Sequence, residues 1–184
     1  MTQLNDLLRR ARNAENHARV RAVATVLARF ALGLGFLSAV ADRFGLWGGA
    51  GTGAVAWGGY DAYLAYVHDL APYLSGGLVD VVGGAATAIE AALGVTLLLG
   101  AGTRLSAWTS SAVLLGFALS MFFFSDFEAP FNSSVFSATA AALLLALAPA
   151  GGLPLTLDRL LRSGDGRRPG TARAGGRTIV ERAE

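Results

Sequence analysis

Hydrophobic positions along this chain gather in unbroken blocks of about twenty residues, not at the alternating or three-to-four spacing of half-buried strands and helices. Four such blocks stand out: AVATVLARFALGLGFLSAVA (22–41), VDVVGGAATAIEAALGVTLLLG (79–100), LSAWTSSAVLLGFALSMFFF (105–124) and FNSSVFSATAAALLLALA (131–148). Each is close to the roughly twenty apolar residues that carry an α-helix across a bilayer. Pro130 and Pro149 punctuate the ends of the fourth. The pattern predicts an all-α integral membrane protein, a four-helix bundle of up-and-down topology with short turns. The first block, ending in Ala39-Val40-Ala41 behind a basic stretch, also mimics a signal peptide. Its length exceeds the usual run of roughly 7–15 apolar residues, which favours an uncleaved first helix.

One polar position disturbs the second block. Glu90 lies near its middle, and a charge at mid-bilayer costs about 2.5–3.5 kcal/mol on insertion scales, so it should face the bundle interior with a partner. Gly83, Thr87, Glu90 and Gly94 share one face, a narrow small-and-polar stripe that permits a close neighbour. Arg29, Gly33, Phe36, Val40 and Arg43 share a face of the first block in the same way. Measured from the span midpoints, Arg29 lies roughly 6 Å to one side of Glu90 and Arg43 roughly 15 Å to the other. Helical side chains lean toward their own N-terminus, which turns Arg43 toward Glu90 and Arg29 away from it. Height makes Arg29 the expected partner, with Arg43 second. A buried pair that merely fixes helix register would look the same.

Composition and charge supply the setting. With 53% hydrophobic and 15% charged residues and a mean hydropathy of +0.49, the chain is far less charged than a soluble domain, in which about a quarter of residues are charged. All fifteen basic residues are Arg. Thirteen of the fifteen precede the first block, follow the fourth, or sit in the second-to-third turn at Arg104. The opposite loops hold Arg43 against Asp42, Asp61, Asp69, Asp80, Asp126 and Glu128. The positive-inside rule therefore predicts a multi-pass plasma-membrane protein with both termini cytoplasmic. The absence of cysteine excludes disulfides, thiolate nucleophiles and Fe–S ligation by this chain. His17 and His68 are too far apart in the predicted topology to share a metal or haem, so no metal is expected.

The flanks and the long outer loop add candidates. Residues 1–21 repeat Leu4, Leu7, Leu8 and Ala11 with arginines between them, as suits an amphipathic helix on anionic headgroups. Residues 150–184 turn to Gly, Arg and Pro, a composition expected to be disordered; cytoplasmic orientation accounts for its arginines without a nucleic acid. Between Asp42 and Leu78 the loop holds Trp47 and Trp57 in a Gly-rich run. YDAYLAYVHDLAPYL follows, predicting a short interfacial helix with Tyr60, Leu64 and Val67 on one face. Such aromatics form an interfacial belt; the sharper reading is a pocket for a ring-shaped ligand with Trp57 and Tyr66 as walls and His68 and Asp69 as polar handles.

RFALGLGFLSAVADRFG, the long loop, TAIEAALGVTLLLGAGTRLSAW and APFNSSVFSATAAALLLA, in this order, resemble the DoxX family of small four-helix membrane proteins. The likeness rests on an Arg-bearing, Gly-rich first helix, a Thr-x-x-Glu-x-x-x-Gly second helix ending in Gly-x-Gly-Thr-Arg, and a Pro-capped fourth. It covers 29–149. The resemblance implies a quinone-associated role beside a redox partner subunit, with Glu90 passing protons and Arg29 or Arg43 setting its charge. The lack of cysteine departs from any thiol or sulfur-shuttling chemistry. The alternative is a non-catalytic scaffold or lipid holder. Expected partners are the bilayer, a redox subunit, or a second copy of the chain.

Overall fold

The structure, a computed structural model, describes residues 2–52, 55–149, 154 and 156–158, and within them not the side chains of 2, 4, 7 and 8. The described residues form six helices: α1 (Thr2–Arg43), α2 (Tyr60–Leu70), α3 (Leu78–Leu99), α4 (Thr103–Phe124), α5 (Ala129–Asn132) and α6 (Val135–Ala146). Three helices, α1, α3 and α4, are long and apolar enough to cross a membrane.

No glycine or proline precedes Gly33 in α1, which is rich in Ala, Leu and Arg, all strong helix formers. The basic stretch, expected as an amphipathic helix, is continuous with the first span. The 42 residues of α1 extend about 63 Å, roughly twice the hydrocarbon thickness. It stops where Gly45 takes φ 70°, a left-handed exit that glycine adopts at little cost. Gly100 (φ 68°) and Gly102 (φ 55°) do the same between α3 and α4, so three residues turn the chain back on itself.

The fourth block does not form one helix. Ser134 sits at φ 55° and separates α5 from α6, in a run of Asn and Ser whose side chains compete for backbone hydrogen bonds. The 12 residues of α6 cover about 18 Å, short of a full span. Even so, α6 packs along α4 and touches α1, while α3 joins α1 to α4. The four helices thus close a ring, α1–α3–α4–α6, with one short corner. Across one end lies α2, against α3 and in touch with α1 and α4.

Packing is inverted relative to a soluble bundle. Arg29, Arg43, Glu90, Thr103, Ser106 and Ser110 are buried, whereas Leu105 is 74% exposed, Leu144 72% and Phe123 69%. Such an apolar exterior needs a bilayer to cover it. Leu32, Phe36, Leu93, Leu97, Ala107, Ala142, Leu145 and Ala146 make up the apolar core. Two glycines set the closest approach: a Cβ placed on Gly33 would lie 3.1 Å from the Gly94 carbonyl, and one on Gly94 equally close to the Gly33 carbonyl. This crossing fixes the register of α1 against α3.

Candidate functional site

Ten residues beyond the Gly33 crossing, about 15 Å along α1, stands Arg43, the last residue of the helix. Glu90 lies four residues before Gly94 on the antiparallel α3. Each side chain leans toward the N-terminus of its own helix, so the two converge. Arg43 Nη2 donates to Glu90 Oε1 at 2.6 Å and to Oε2 at 2.7 Å, with both side chains 3% exposed. The expected Arg29–Glu90 pair is not formed. Arg29 stands fourteen residues back from Arg43, about 21 Å along α1, level with the far end of α3. Its Nε donates to the Leu97 carbonyl at 3.0 Å, Nη2 to Leu98 at 3.2 Å and Nη1 to Pro154 at 3.0 Å. Arg29 therefore caps the carbonyl end of α3, where a cation also meets the negative end of the helix dipole.

The Arg43 guanidinium has more than one kind of partner. Nη1 donates to Thr87 Oγ1 at 2.9 Å, and that hydroxyl donates in turn to the Gly83 carbonyl at 2.8 Å. Tyr63 and Trp57 lie under the cation, with its central carbon 3.9 Å and 5.2 Å from their ring centroids. Both distances fall within cation–π range. Burial pushes the Tyr63 phenol above its ordinary range, with the Arg43 charge opposing the shift. The phenol thus stays protonated and donates to the Gly83 carbonyl at 3.3 Å. All four residues of the α3 stripe, Gly83, Thr87, Glu90 and Gly94, are buried, and three of them belong to this network.

Asp42 organises the loop that brings Trp57 to this place. Buried to 5% exposure, its carboxylate accepts the backbone N–H groups of Ala56 (3.0 Å), Trp57 (2.9 Å) and Gly58 (3.3 Å). Gly58 has φ 64°, and a Cβ there would lie 2.4 Å from the Ala50 nitrogen, so the turn tolerates only glycine. Adjacent residues thus divide the labour: Asp42 holds the loop and Arg43 binds what it presents.

A cavity of about 200 Å³ adjoins the pair. Leu32, Phe36, Leu114, Phe117 and Met121 supply much of its wall, together with Trp57; among the described residues Arg43 and Glu90 are its only ionisable lining groups. Of the residues expected to bind a ligand, Trp57 lines this cavity. Tyr66 does not line it, though its ring centroid stands 6.1 Å from that of Trp57. His68 and Asp69 are exposed on α2 and do not line this cavity, because the face of α2 that turns inward carries Tyr63, Val67 and Leu70. Tyr63, Thr87 and Phe117 complete the site.

At the opposite end of the bundle, the Asp158 carboxylate accepts the backbone N–H groups of Gly102 (2.9 Å) and Thr103 (3.2 Å). It thereby caps α4 from a distant part of the sequence. Asp158 also attracts Arg29 electrostatically, and Thr156 is 3% exposed. Some residues past Pro149 are therefore packed on the turn between α3 and α4; the remainder of the expected disordered tail lies outside the described residues. Arg104 donates to the Ala146 carbonyl at 3.2 Å and to Ala148 at 3.3 Å, closing the carbonyl end of α6. Compared with known proteins, the chain matches no protein-family model, no curated protein and no solved structure.

Proposed function

We propose that the chain is a DoxX-type multi-pass protein of the plasma membrane, with both termini cytoplasmic, acting as the cofactor-free subunit of a quinone-linked oxidoreductase. The observation that carries this reading is the cavity beside Arg43 and Glu90, apolar except at one buried charged pair. Convergent polar groups in an otherwise apolar hollow are how small-molecule sites are built. In this reading Arg43 orients a quinone headgroup, Trp57 and Phe117 flank its ring, and Glu90 is the protonatable group beside it. Reduction of a quinone takes up two electrons and two protons. The electrons come from a partner subunit, because a chain without cysteine has no thiol or Fe–S relay of its own. The sidedness rests on the distribution of arginines.

A scaffold role is the second reading. It is favoured by the fact that Arg43–Glu90 joins the same two helices as the Gly33–Gly94 crossing, so the pair can fix packing alone. Purification in mild detergent, followed by quinone extraction and identification of bound subunits, separates the two. Quinone together with a cofactor-bearing subunit is the expected result; a protein partner without quinone would overturn the quinone reading and leave the scaffold.

A further inference from the structure

The cavity wall is uneven. Along its outer edge α1 contributes Ala31, Gly35 and Ala39 at four-residue spacing, beside Leu32, Phe36 and Arg43 on its inner face, and among the described residues α6 adds Val135 and Ala138. Ala31 and Gly35 are exposed, whereas Leu32, Phe36, Arg43 and Glu90 on the inner wall are buried. A Cβ built on Gly35 would meet nothing within 4 Å. The gap follows from the short corner of the ring, since α6 begins only at Val135.

We propose that this α1–α6 seam is a lateral doorway from the bilayer, through which the neutral, hydrogen-bond-accepting head of a lipid-soluble molecule reaches Arg43 while its apolar tail stays among the lipids. The identification of that molecule with a quinone rests on the reading above; the doorway does not. Height supports the path. Gly35 lies two residues from the Gly33–Gly94 crossing, about 10 Å inside the end of α3, a level that belongs to hydrocarbon. Phe30 and Leu34 stand beside the mouth, 44% and 56% exposed, so nothing there welcomes a solute from water. Volume sets what enters. At about 200 Å³ the cavity is smaller than the roughly 300–1,000 Å³ of a pocket that encloses a whole drug-sized ligand. It accommodates a head and leaves a long tail outside.

Charge sets the kind of head. Glu90 already neutralises Arg43, so an anionic head would find no net positive charge to offset its desolvation. Arg43 Nε, however, is buried without a hydrogen-bond partner among the described residues, although a buried donor ordinarily has one. A head with a carbonyl oxygen offers the guanidinium a further acceptor and adds no charge to the pair.

The test uses the full chain in lipid nanodiscs with Trp47→Phe and Trp108→Phe, leaving Trp57 as the reporter. Phosphatidylcholine brominated at mid-chain should quench Trp57. Gly35→Leu should remove about half or more of that quenching, as should Ala39→Leu, which guards against a folding defect in either variant alone. Gly116→Leu, on α4 where a Cβ also meets nothing within 4 Å, should change nothing. Decylubiquinone should then bind about tenfold more weakly to Gly35→Leu than to the parent, and decanoate should not compete with it. Equal bromine quenching in parent, Gly35→Leu and Ala39→Leu overturns the doorway, and effective competition by decanoate overturns the neutral head. Quenching that the leucines block, with no decylubiquinone binding, upholds the doorway and overturns the quinone reading.

Discussion

Replacing Arg43 and Glu90 by leucine, singly and together, probes the contact on which the site depends. Glu90→Leu strands a guanidinium that keeps Thr87 and the faces of Tyr63 and Trp57. Arg43→Leu strands a carboxylate whose hydrogen bonds among the described residues come from Arg43 alone. Breaking a buried pair costs about 3–5 kcal/mol. Each retained ring face is worth about 0.5–2 kcal/mol to the cation. Glu90→Leu should therefore fall near 3 kcal/mol and Arg43→Leu near 5 kcal/mol. The double variant leaves no buried charge and should lose the two ring contacts, about 1–4 kcal/mol, and the Thr87 hydrogen bond. By the scaling of soluble proteins, about 2–4 °C per kcal/mol, melting in detergent should drop by roughly 10–20 °C for Arg43→Leu and by less for the double variant. A coupling of about 3 kcal/mol or more between the two sites is the expected result. Strictly additive losses would refute the pairing. The parallel cycle of Arg29→Leu with Glu90→Leu should be additive, since Arg29 donates to the Leu97, Leu98 and Pro154 carbonyls at the far end of α3.

Further outcomes follow from other parts of the molecule. A cysteine introduced by Ala65→Cys on the exposed side of α2 should react with an impermeant maleimide only from outside intact cells; labelling only from the cytoplasm would reverse the proposed topology. Asp42→Ala leaves three backbone N–H groups of the loop without their acceptor. It should cost about 1–3 kcal/mol and shift Trp57 emission to the red in the single-Trp background; an unchanged spectrum would mean that the loop holds itself. Asp158→Ala removes the cap from α4 and should cost about 0.5–2 kcal/mol in a thermal melt, with no effect on bromine quenching of Trp57.

Much of this architecture is readable from residue patterns, because bilayer thickness dictates the length of an apolar block and helical spacing dictates which residues share its face. The stripe from Gly83 to Gly94 and the buried face of α1 both follow from that reasoning. The choice between Arg29 and Arg43 does not. Heights taken from span midpoints assume that two helices are centred on each other, whereas the Gly33–Gly94 contact shifts α1 against α3 by about two turns. Side-chain direction pointed the other way and proved the better guide. Arg29 and Asp42 share a second difficulty: their partners are backbone groups, which every residue carries and no spacing reveals. The break at Ser134 also escapes notice, since serine in an apolar run ordinarily stays helical. On α2, alternation of tyrosines makes several faces look equivalent until Tyr63 meets Gly83.

The clasp around Arg29 bears on how the protein is made. Arg29 enters the bilayer with the first helix, yet one of its acceptors, the Pro154 carbonyl, lies 125 residues later. At about 5–20 residues per second the ribosome takes roughly 6–25 s to deliver it. Through that interval the guanidinium must find water or headgroups, which it can do by reaching down its own helix toward the interface. Of the described helices, α1 is thus the earliest made and among the last completed. A ribosome that stalls, or a stop codon, before Pro154 would leave Arg29 without this acceptor and α1 without its last clasp.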